Sequence, residues 1–406
     1  MKFLFVLVLI FSSFSIFSKE NSEKWIAIER PILEKIKKVR YPLFRFKEVQ
    51  TSTKENYYLV DESEIDKLAK NLHHLLKRCG GFKVLKSRPQ LISYNKSLTD
   101  TTFSEFWPNE LDKYIQLDYS IKMETEVHSW FDKISSEHID SIITHLASYH
   151  TRYYKSLDGE LALQWIGKKW EELTALRSDA KVEYYKHLNH NQPSIILTIE
   201  GSDPKLKDQI IVIGGHGDSI NCDDEQAMLR APGANDNAAG IAVISDIIKI
   251  MVEQNYKPKH TIQFIAYAAE EVGLQGSSDI AQTYRNQKKQ VIGVLQLDGI
   301  NYTGKTYDMA LISDLTYGPQ NIFMAQLIDQ YLKANWSWDK CGYACSDHYS
   351  WHSNGYRASF PVEAIMNEQD PFIHTSQDTF EKSNNNSTHA QLFEKLSIAY
   401  LVELDN

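Results

Sequence analysis

The chain has 406 residues, of which 42% are apolar and 24% charged, enough apolar material for a large core and too much for global disorder. Its net charge is −9, and no basic run is long enough to serve as a nucleic-acid footprint, so nucleic acid is excluded as an expected partner. The mild acidity argues for solubility.

Met1-Lys2 opens an apolar run from Phe3 to Phe17, dotted with Ser12, Ser13 and Ser15. A positive start followed by an apolar stretch too short to span a bilayer comfortably predicts a signal peptide over 1–18, cut near Ser15–Ser18. Lys19, Glu20, Glu23 and Lys24 follow at once, and no cysteine closes the run for a lipid anchor. No other stretch reaches about 20 apolar residues. The expectation is an exported, soluble, monomeric protein, extracellular or periplasmic, with no membrane anchor.

Residues 19–115 read as a small α+β unit. Tyr57-Tyr58-Leu59-Val60 predicts a strand. Ile65, Leu68, Leu72, Leu75 and Leu76 recur at helical spacing, Gly80-Gly81 ends that helix, and Phe82 to Leu85 predicts a second strand. His73-His74 on the helix reads as a solvated pair. Trp107-Pro108 and the polar stretch after it place a boundary at 105–123.

From residue 124 the character changes. Ser136 reads as an N-cap for a helix with Ile139, Ile142, Ile143 and Leu146 on one face. Short apolar runs at Ser194–Glu200, Gln209–Gly214, Thr261–Ala268 and Val291–Leu297 predict strands. Ile241–Val252, Ile322–Leu332 and Ala390–Leu401 predict helices. Strands alternating with helices imply an α/β fold, a three-layer arrangement with a mainly parallel twisted sheet and helices on both faces. In such sheets sites gather at the carboxyl ends of strands.

Polar residues fall at those ends. The run 211–215 leads to His216 and Asp218, the run 262–269 to Glu270-Glu271, and the run 294–297 to Asp298. Asp236 precedes a helix, and His374 lies near the carboxyl end of the chain. Singly each has an ordinary reading: a hydrogen-bonded histidine, an N-capping aspartate, a solvated acidic pair. Yet Glu270-Glu271 ends an apolar strand, where bare carboxylates are costly unless paired or metal-bound. Two histidines and three carboxylates suit two divalent ions bound by N and O ligands, one carboxylate bridging them. Such a pair can activate one water and steady a tetrahedral intermediate. That leaves Glu270 as general base and Asp218 to orient His216. Cys341 and Cys345 lie four apart with no second such pair, so a local disulfide that fixes the turn carrying Tyr343 is a better reading than a zinc ribbon.

The blocks Val212–Ser219, Ala231–Gly240, Ala266–Leu274, Leu295–Asp298, Cys341–His348 and Ile373-His374-Thr375 occur in the order found in the bacterial leucyl aminopeptidases, two-zinc exopeptidases of the M28 peptidase family, which residues 124–406 resemble. The resemblance implies two Zn²⁺ ions per chain and peptide substrates with a free N-terminus. It implies that Asp236 bridges the metals, that His216 and Asp298 complete one set of ligands and Glu271 and His374 the other. It implies that Glu270 is the base, that Tyr343 stabilises the oxyanion, that Cys341 and Cys345 pair around it, and that the Asp236–Asn237 peptide is cis. Family members carry comparable N-terminal pro-regions, so 19–115 is expected to be a propeptide that covers the site. The pocket for the first side chain is expected at Gly299, Ile312, Cys341, Tyr343, Cys345, Phe360, Val362, Met366, Gln369 and Ile373. Relatives have a bulky residue at Gly299 and an aromatic ring at Gln369, which predicts a broader, less apolar pocket, with Glu368 and Asp370 near its rim. Asn235 and Asn237 stand where relatives often have acids.

Cys222 has no evident partner except, by elimination, Cys79, and free thiols are expected for both. His348 reads as a structural histidine. Gly-x-Ser-x-Gly and His-Glu-x-x-His are absent, which argues against a serine hydrolase and a thermolysin-like site. The competing readings are a single-zinc glutaminyl cyclase and a non-catalytic binding ectodomain on the same fold.

Overall fold

The computed structural model describes residues 23–38, 47–51, 55–76, 81–85, 117–223 and 228–406. The signal peptide, Cys79, Gly80, Trp107-Pro108 and most of the expected boundary at 105–123 lie outside the described residues.

The N-terminal unit contains β1 (Glu23–Glu29), α1 (Arg30–Lys38), β2 (Lys47–Thr51), β3 (Glu55–Asp61), α2 (Ile65–Leu76) and β4 (Phe82–Leu85). Its strands form an antiparallel sheet in the order β2-β3-β1-β4. β3, α2 and β4 occupy the expected positions. β1, α1 and β2 went unread, although β1 supplies the sheet centre through Ile26 and Ile28. Ile65, Leu68 and Leu72, one face of α2, pack on those strand residues.

The larger unit runs through α3 (Glu124–Phe131), α4 (Ser136–Ser148), α5 (Leu157–Thr174), β5 (Ala180–Tyr185), β6 (Ser194–Ile199), β7 (Gln209–His216), α6 (Ala239–Glu253), β8 (Thr261–Tyr267), α7 (Gln275–Asn286) and β9 (Gln290–Gln296). It continues through β10 (Met309–Ile312), α8 (Gly318–Leu327), β11 (Trp336–Asp339), α9 (His348–Ser353), β12 (Ala358–Ser359), β13 (Pro361–Val362) and α10 (Ala390–Leu404). The cap of α4 is Ser135, one residue before the expected Ser136: its hydroxyl accepts the His138 N–H. The α8 helix ends at Leu327, and 328–332 form a wider turn.

The main sheet has the order β12-β9-β7-β8-β6-β5. Its first four strands are parallel, and β6 and β5 are antiparallel additions at one edge. Strand side chains alternate between faces. Ile211, Ile213, Ile262, Phe264 and Leu295 pack under α4, α5, α6, α8 and α10. Ile210, Val212, Ile265, Val291 and Val294 pack under α7 and α9. Helices therefore cover both faces, as expected. Among the described residues no helix is long and apolar enough to cross a membrane.

The N-terminal unit rests on the larger one. Phe82 and Val84 share an apolar cluster with Ala269, Val272, Tyr343 and Ile220. The Val84 N–H donates to the Gly273 carbonyl at 3.0 Å, and Asp66 accepts from Tyr154 and Lys155 at 2.8 and 2.6 Å.

Candidate metal centre

The strand register places three of the predicted groups side by side. β7, β8 and β9 are parallel neighbours, and His216, Glu270-Glu271 and Asp298 stand at or just beyond their carboxyl ends. Two loops bring the others. Asp236 lies in the turn before α6, and its peptide to Asn237 is cis. Gly233 begins that turn at φ 54°, where a Cβ would sit 2.4 Å from the Asp236 carbonyl, so glycine is required. His374 is held at φ 58°, an uncommon conformation for a side-chain-bearing residue.

Asp236 lies between two His–carboxylate pairs. Its Oδ1 is 2.9 Å from His216 Nε2, which is 3.3 Å from Asp298 Oδ1. Its Oδ2 is 2.9 Å from His374 Nε2, which is 3.2 Å from Glu271 Oε2. Two ligands about 2.1 Å from one tetrahedral ion stand about 3.4 Å apart, so these separations suit metal coordination. Atoms of His216, Asp236 and Glu271 also fall within 4.8 Å of one another. Glu270 is fully buried, and both its oxygens accept no hydrogen bond from the described residues.

The surroundings are charged accordingly. Burial pushes the Glu270 carboxyl well above the usual carboxylate range, and Asp347, Glu271 and Asp298 add to the rise. Burial alone would depress His216 and His374. The carboxylates around them win, raising His216 well above the imidazole range and His374 to about 10. A pocket that stabilises two positive charges so strongly suits cations. The donor set, the separations and this field all fit divalent ions.

Several supports were not legible in the sequence. Four successive N–H groups at the end of β8 meet side-chain acceptors: Ala268 meets Ser194 Oγ, Ala269 meets Gln192 Oε1, and Glu270 and Glu271 meet the two oxygens of Asp218. Asp218 therefore holds the Glu270-Glu271 backbone. Its carbonyl, at 3.2 Å, is nearer His216 Nδ1 than its carboxylate, at 3.4 Å. Arg152 is fully buried and donates to the carbonyls of Gly217, Leu146, Pro232 and Gly233, tying the His216 strand end to the Asp236 turn. Asp378 accepts the N–H groups of Asn235 and Asp236 at 2.8 and 3.0 Å. Ser346 donates to Asp298 Oδ2 at 2.6 Å. No motif marks Arg152, Gln192 or Asp378; their partners are distant in sequence.

A cavity beside these groups is lined by Asp236, Asp298, Gly299, Cys341, Tyr343, Cys345, Phe360, Val362, Glu363, Met366, Gln369 and Ile373. All the expected pocket residues line it except Ile312. That side chain is buried behind the wall, against Phe360 and Val362. Glu363 was missed. It accepts from Asn235 and from the Asp370 and Tyr302 N–H groups, and burial pushes it up to about 8. A Cβ on Gly299 would meet nothing within 4 Å. Cys341 and Cys345 form a disulfide, and Cys222 is a buried free thiol. Glu368 points away to Thr306, and Asp370 is buried against Asn235.

His348 is buried and stacked on Phe360, and burial lowers it to about 3, as befits a neutral structural group. His187 lies 2.8 Å from Ser194 Oγ and 2.9 Å from Asp279, the outline of a hydrolytic triad, but Ser194 is fully buried. His74 is exposed as expected. His73 is not: its Nδ1 lies 2.5 Å from His374 Nδ1.

Comparison with known proteins places the chain in a family. The pattern of peptidase family M28 matches residues 194–397. A probable leucine aminopeptidase of Trichophyton verrucosum is 33% identical over 318 residues, covering 77% of this chain and 82% of that protein. The crystal structure of the LapA aminopeptidase of Legionella pneumophila overlays with a TM-score of 0.78 at 27% identity, over 94% of this chain and 98% of that one. LapB from the same organism overlays at 0.74 with 28% identity, over 94% and 99%. The chain belongs to peptidase family M28 and is a metallo-aminopeptidase.

Proposed function

We propose that the chain is an exported aminopeptidase that uses two zinc ions to hydrolyse the first peptide bond of peptides with a free N-terminus. The observation that carries this reading is Asp236, with one oxygen 2.9 Å from each of two histidines that each have a second carboxylate beside them. His216 and Asp298 would hold one ion, Glu271 and His374 the other, and Asp236 both. When bound, the ions supply Lewis acidity to a water and to the scissile carbonyl.

The chain's own groups do the rest. Glu270, with no hydrogen bond from the described residues to fix its oxygens, takes the proton of the attacking water and hands it to the leaving amine. Burial raises the Glu270 carboxyl, which suits a group that must hold a proton between its removal from water and its delivery to the leaving amine. Tyr343, on the loop closed by the Cys341–Cys345 disulfide, lines the cavity and donates to the carbonyl oxygen as negative charge develops. The side chain of the first residue enters the cavity past Gly299. Residues 19–115 act as a propeptide, with the N-terminal unit covering this face until it is cut away.

The test is hydrolysis of aminoacyl anilides with zinc content measured on the same sample. Two zinc ions per chain, with turnover abolished by chelation and restored by zinc, is the expected outcome. One ion per chain with cyclisation of N-terminal glutamine would identify a glutaminyl cyclase instead, and zinc uptake without turnover a binding protein.

A further inference from the structure

The N-terminal unit does more than lie over the site. On α2, Ile65, Leu68 and Leu72 face that unit's own core. His73, the next position round the helix, is half-buried and reaches His374. The rings meet edge to face with centroids 4.4 Å apart, and the two Nδ1 atoms lie 2.5 Å apart. The other nitrogen of His374, Nε2, faces Asp236 and Glu271 at 2.9 and 3.2 Å. A histidine that binds a metal through Nε2 carries its proton on Nδ1 and donates it to a neighbour, which fixes ring orientation and raises ligand basicity. The neighbour facing that nitrogen here is His73, which accepts as a neutral imidazole with its own proton on Nε2.

We propose that His73 is a positioning residue for the metal ligand His374, so that the N-terminal unit secures zinc on the His374–Glu271 side while it covers the site. The inference rests on the two-zinc reading above. Its physical content is a coupling. If docking of α2 orients His374 for zinc, zinc must strengthen the docking of α2 by the same factor. Removing the N-terminal unit then leaves that side of the centre with a weaker hold on its ion, because water replaces an oriented acceptor. The flanking contacts make α2 a rigid platform for this. Asp66 on the same helix is tied to Tyr154 and Lys155, and β4 is hydrogen-bonded to Gly273, two residues from Glu271.

The experiment uses the full chain with its N-terminal unit attached. Zinc affinity is measured by competition with a chromogenic chelator, and hydrogen exchange of residues 65–76 is followed with and without zinc. Three variants are compared with wild type: His73→Phe, which fills the space without an acceptor; His73→Asn, whose amide oxygen can take the place of Nδ1; and His74→Ala, on the exposed neighbour. Loss of an outer-shell partner typically weakens metal binding about 10–100-fold. The expected result is a loss of about ten-fold or more for His73→Phe, recovery in His73→Asn, and no change for His74→Ala. Zinc should slow exchange of α2 in wild type and do so less in His73→Phe. Wild-type affinity and undiminished zinc protection in His73→Phe would overturn the proposal while leaving the metal reading intact. A wild-type chain that takes up no zinc would overturn the metal reading, and this inference with it.

Discussion

At the scale of single residues, Glu270 and Gly299 give the sharpest tests. Glu270 adjoins the proposed ligand Glu271, yet none of the His–carboxylate pairings of the proposed ligand set involves it. Glu270→Gln should retain its zinc and lose about 10²–10⁴-fold in turnover, read from metal content and kcat on one preparation. Asp236→Ala should lose metal as well, because in the proposed centre it would strip a ligand from both ions. Gly299 sits at φ 57° with open space where a Cβ would point, so the cavity is wider here than a side chain would leave it. Gly299→Met should narrow it, lowering kcat/KM for lysyl and leucyl anilides unequally. The left-handed backbone conformation adds about 1–2 kcal/mol of strain, so Tm must be measured beside the kinetics. Discrimination in an apolar pocket is worth about 1–3 kcal/mol, and the preference should be graded. A wild type that ignores the lysyl anilide, with neither value changed by Gly299→Met, would reject the broad pocket. Glu363 in the wall adds a polar group that the sequence did not disclose.

At the scale of elements, two devices hold the site to its scaffold. The first is Arg152, just beyond the end of α4, whose guanidinium serves four backbone carbonyls in three segments. Arg152→Leu would strip this donor from all four carbonyls, of which, among the described residues, Gly233 alone keeps a backbone donor, the Ala238 N–H. Each buried unsatisfied group costs about 1–3 kcal/mol, so a fall in stability of several kcal/mol is expected, measured by chemical denaturation. The second is the contact between β1 and the larger unit. Glu29 at the end of β1 is buried beside Glu55, Lys83, Asp314 and Tyr349. Burial, with Glu55 and Asp314 adding to it, raises its carboxyl from 4.5 to about 7. The docked unit thus keeps a proton that an undocked one releases between those two values. Docking is fully favoured below pH 4.5, weakens as pH rises to about 7 and stays weak above it, by about 3 kcal/mol at most. Glu29→Gln should flatten that dependence, checked by the pH profile of hydrogen exchange in β1. An unchanged slope in the variant would discard Glu29 as its source.

At the scale of the whole molecule, the N-terminal unit and the catalytic groups form one arrangement. α2 lies against His374, the start of β4 against Ala344, and Phe82 and Val84 against Gly273, so one helix and one edge strand of the small unit meet three loops that carry candidate site residues. A substrate needs access to the same face. Protein nicked near 105–123 and freed of its N-terminal unit should therefore be more active than the full-length chain. The comparison is kcat/KM before and after limited proteolysis, on zinc-saturated samples so that loss of metal is not mistaken for inhibition. Equal rates would make the unit a permanent accessory.

What the sequence determined by itself was local. Apolar runs ending in His216, Glu270-Glu271 and Asp298 marked three strands and the polar groups at their ends, because the hydrophobic period and the chemistry of a buried carboxylate are both written in adjacent residues. The alternation of those runs with amphipathic segments marked the layered α/β fold, and Cys341 with Cys345 marked the loop they close. Only the tertiary structure decided how distant segments meet. The antiparallel edge of β6 and β5 depends on strand pairing that no single segment encodes. Ile312 lies behind the pocket wall rather than in it because packing against Phe360 and Val362 places it there. Apart from the Leu146 carbonyl, the backbone groups that Arg152, Gln192 and Asp378 serve lie tens to more than a hundred residues away, so little near them in the chain announces a role. His73 looked like half of a solvated pair because a helix pattern shows which face is apolar, not what another part of the chain brings against the rest. That contact spans 301 residues, and the fold alone supplies it.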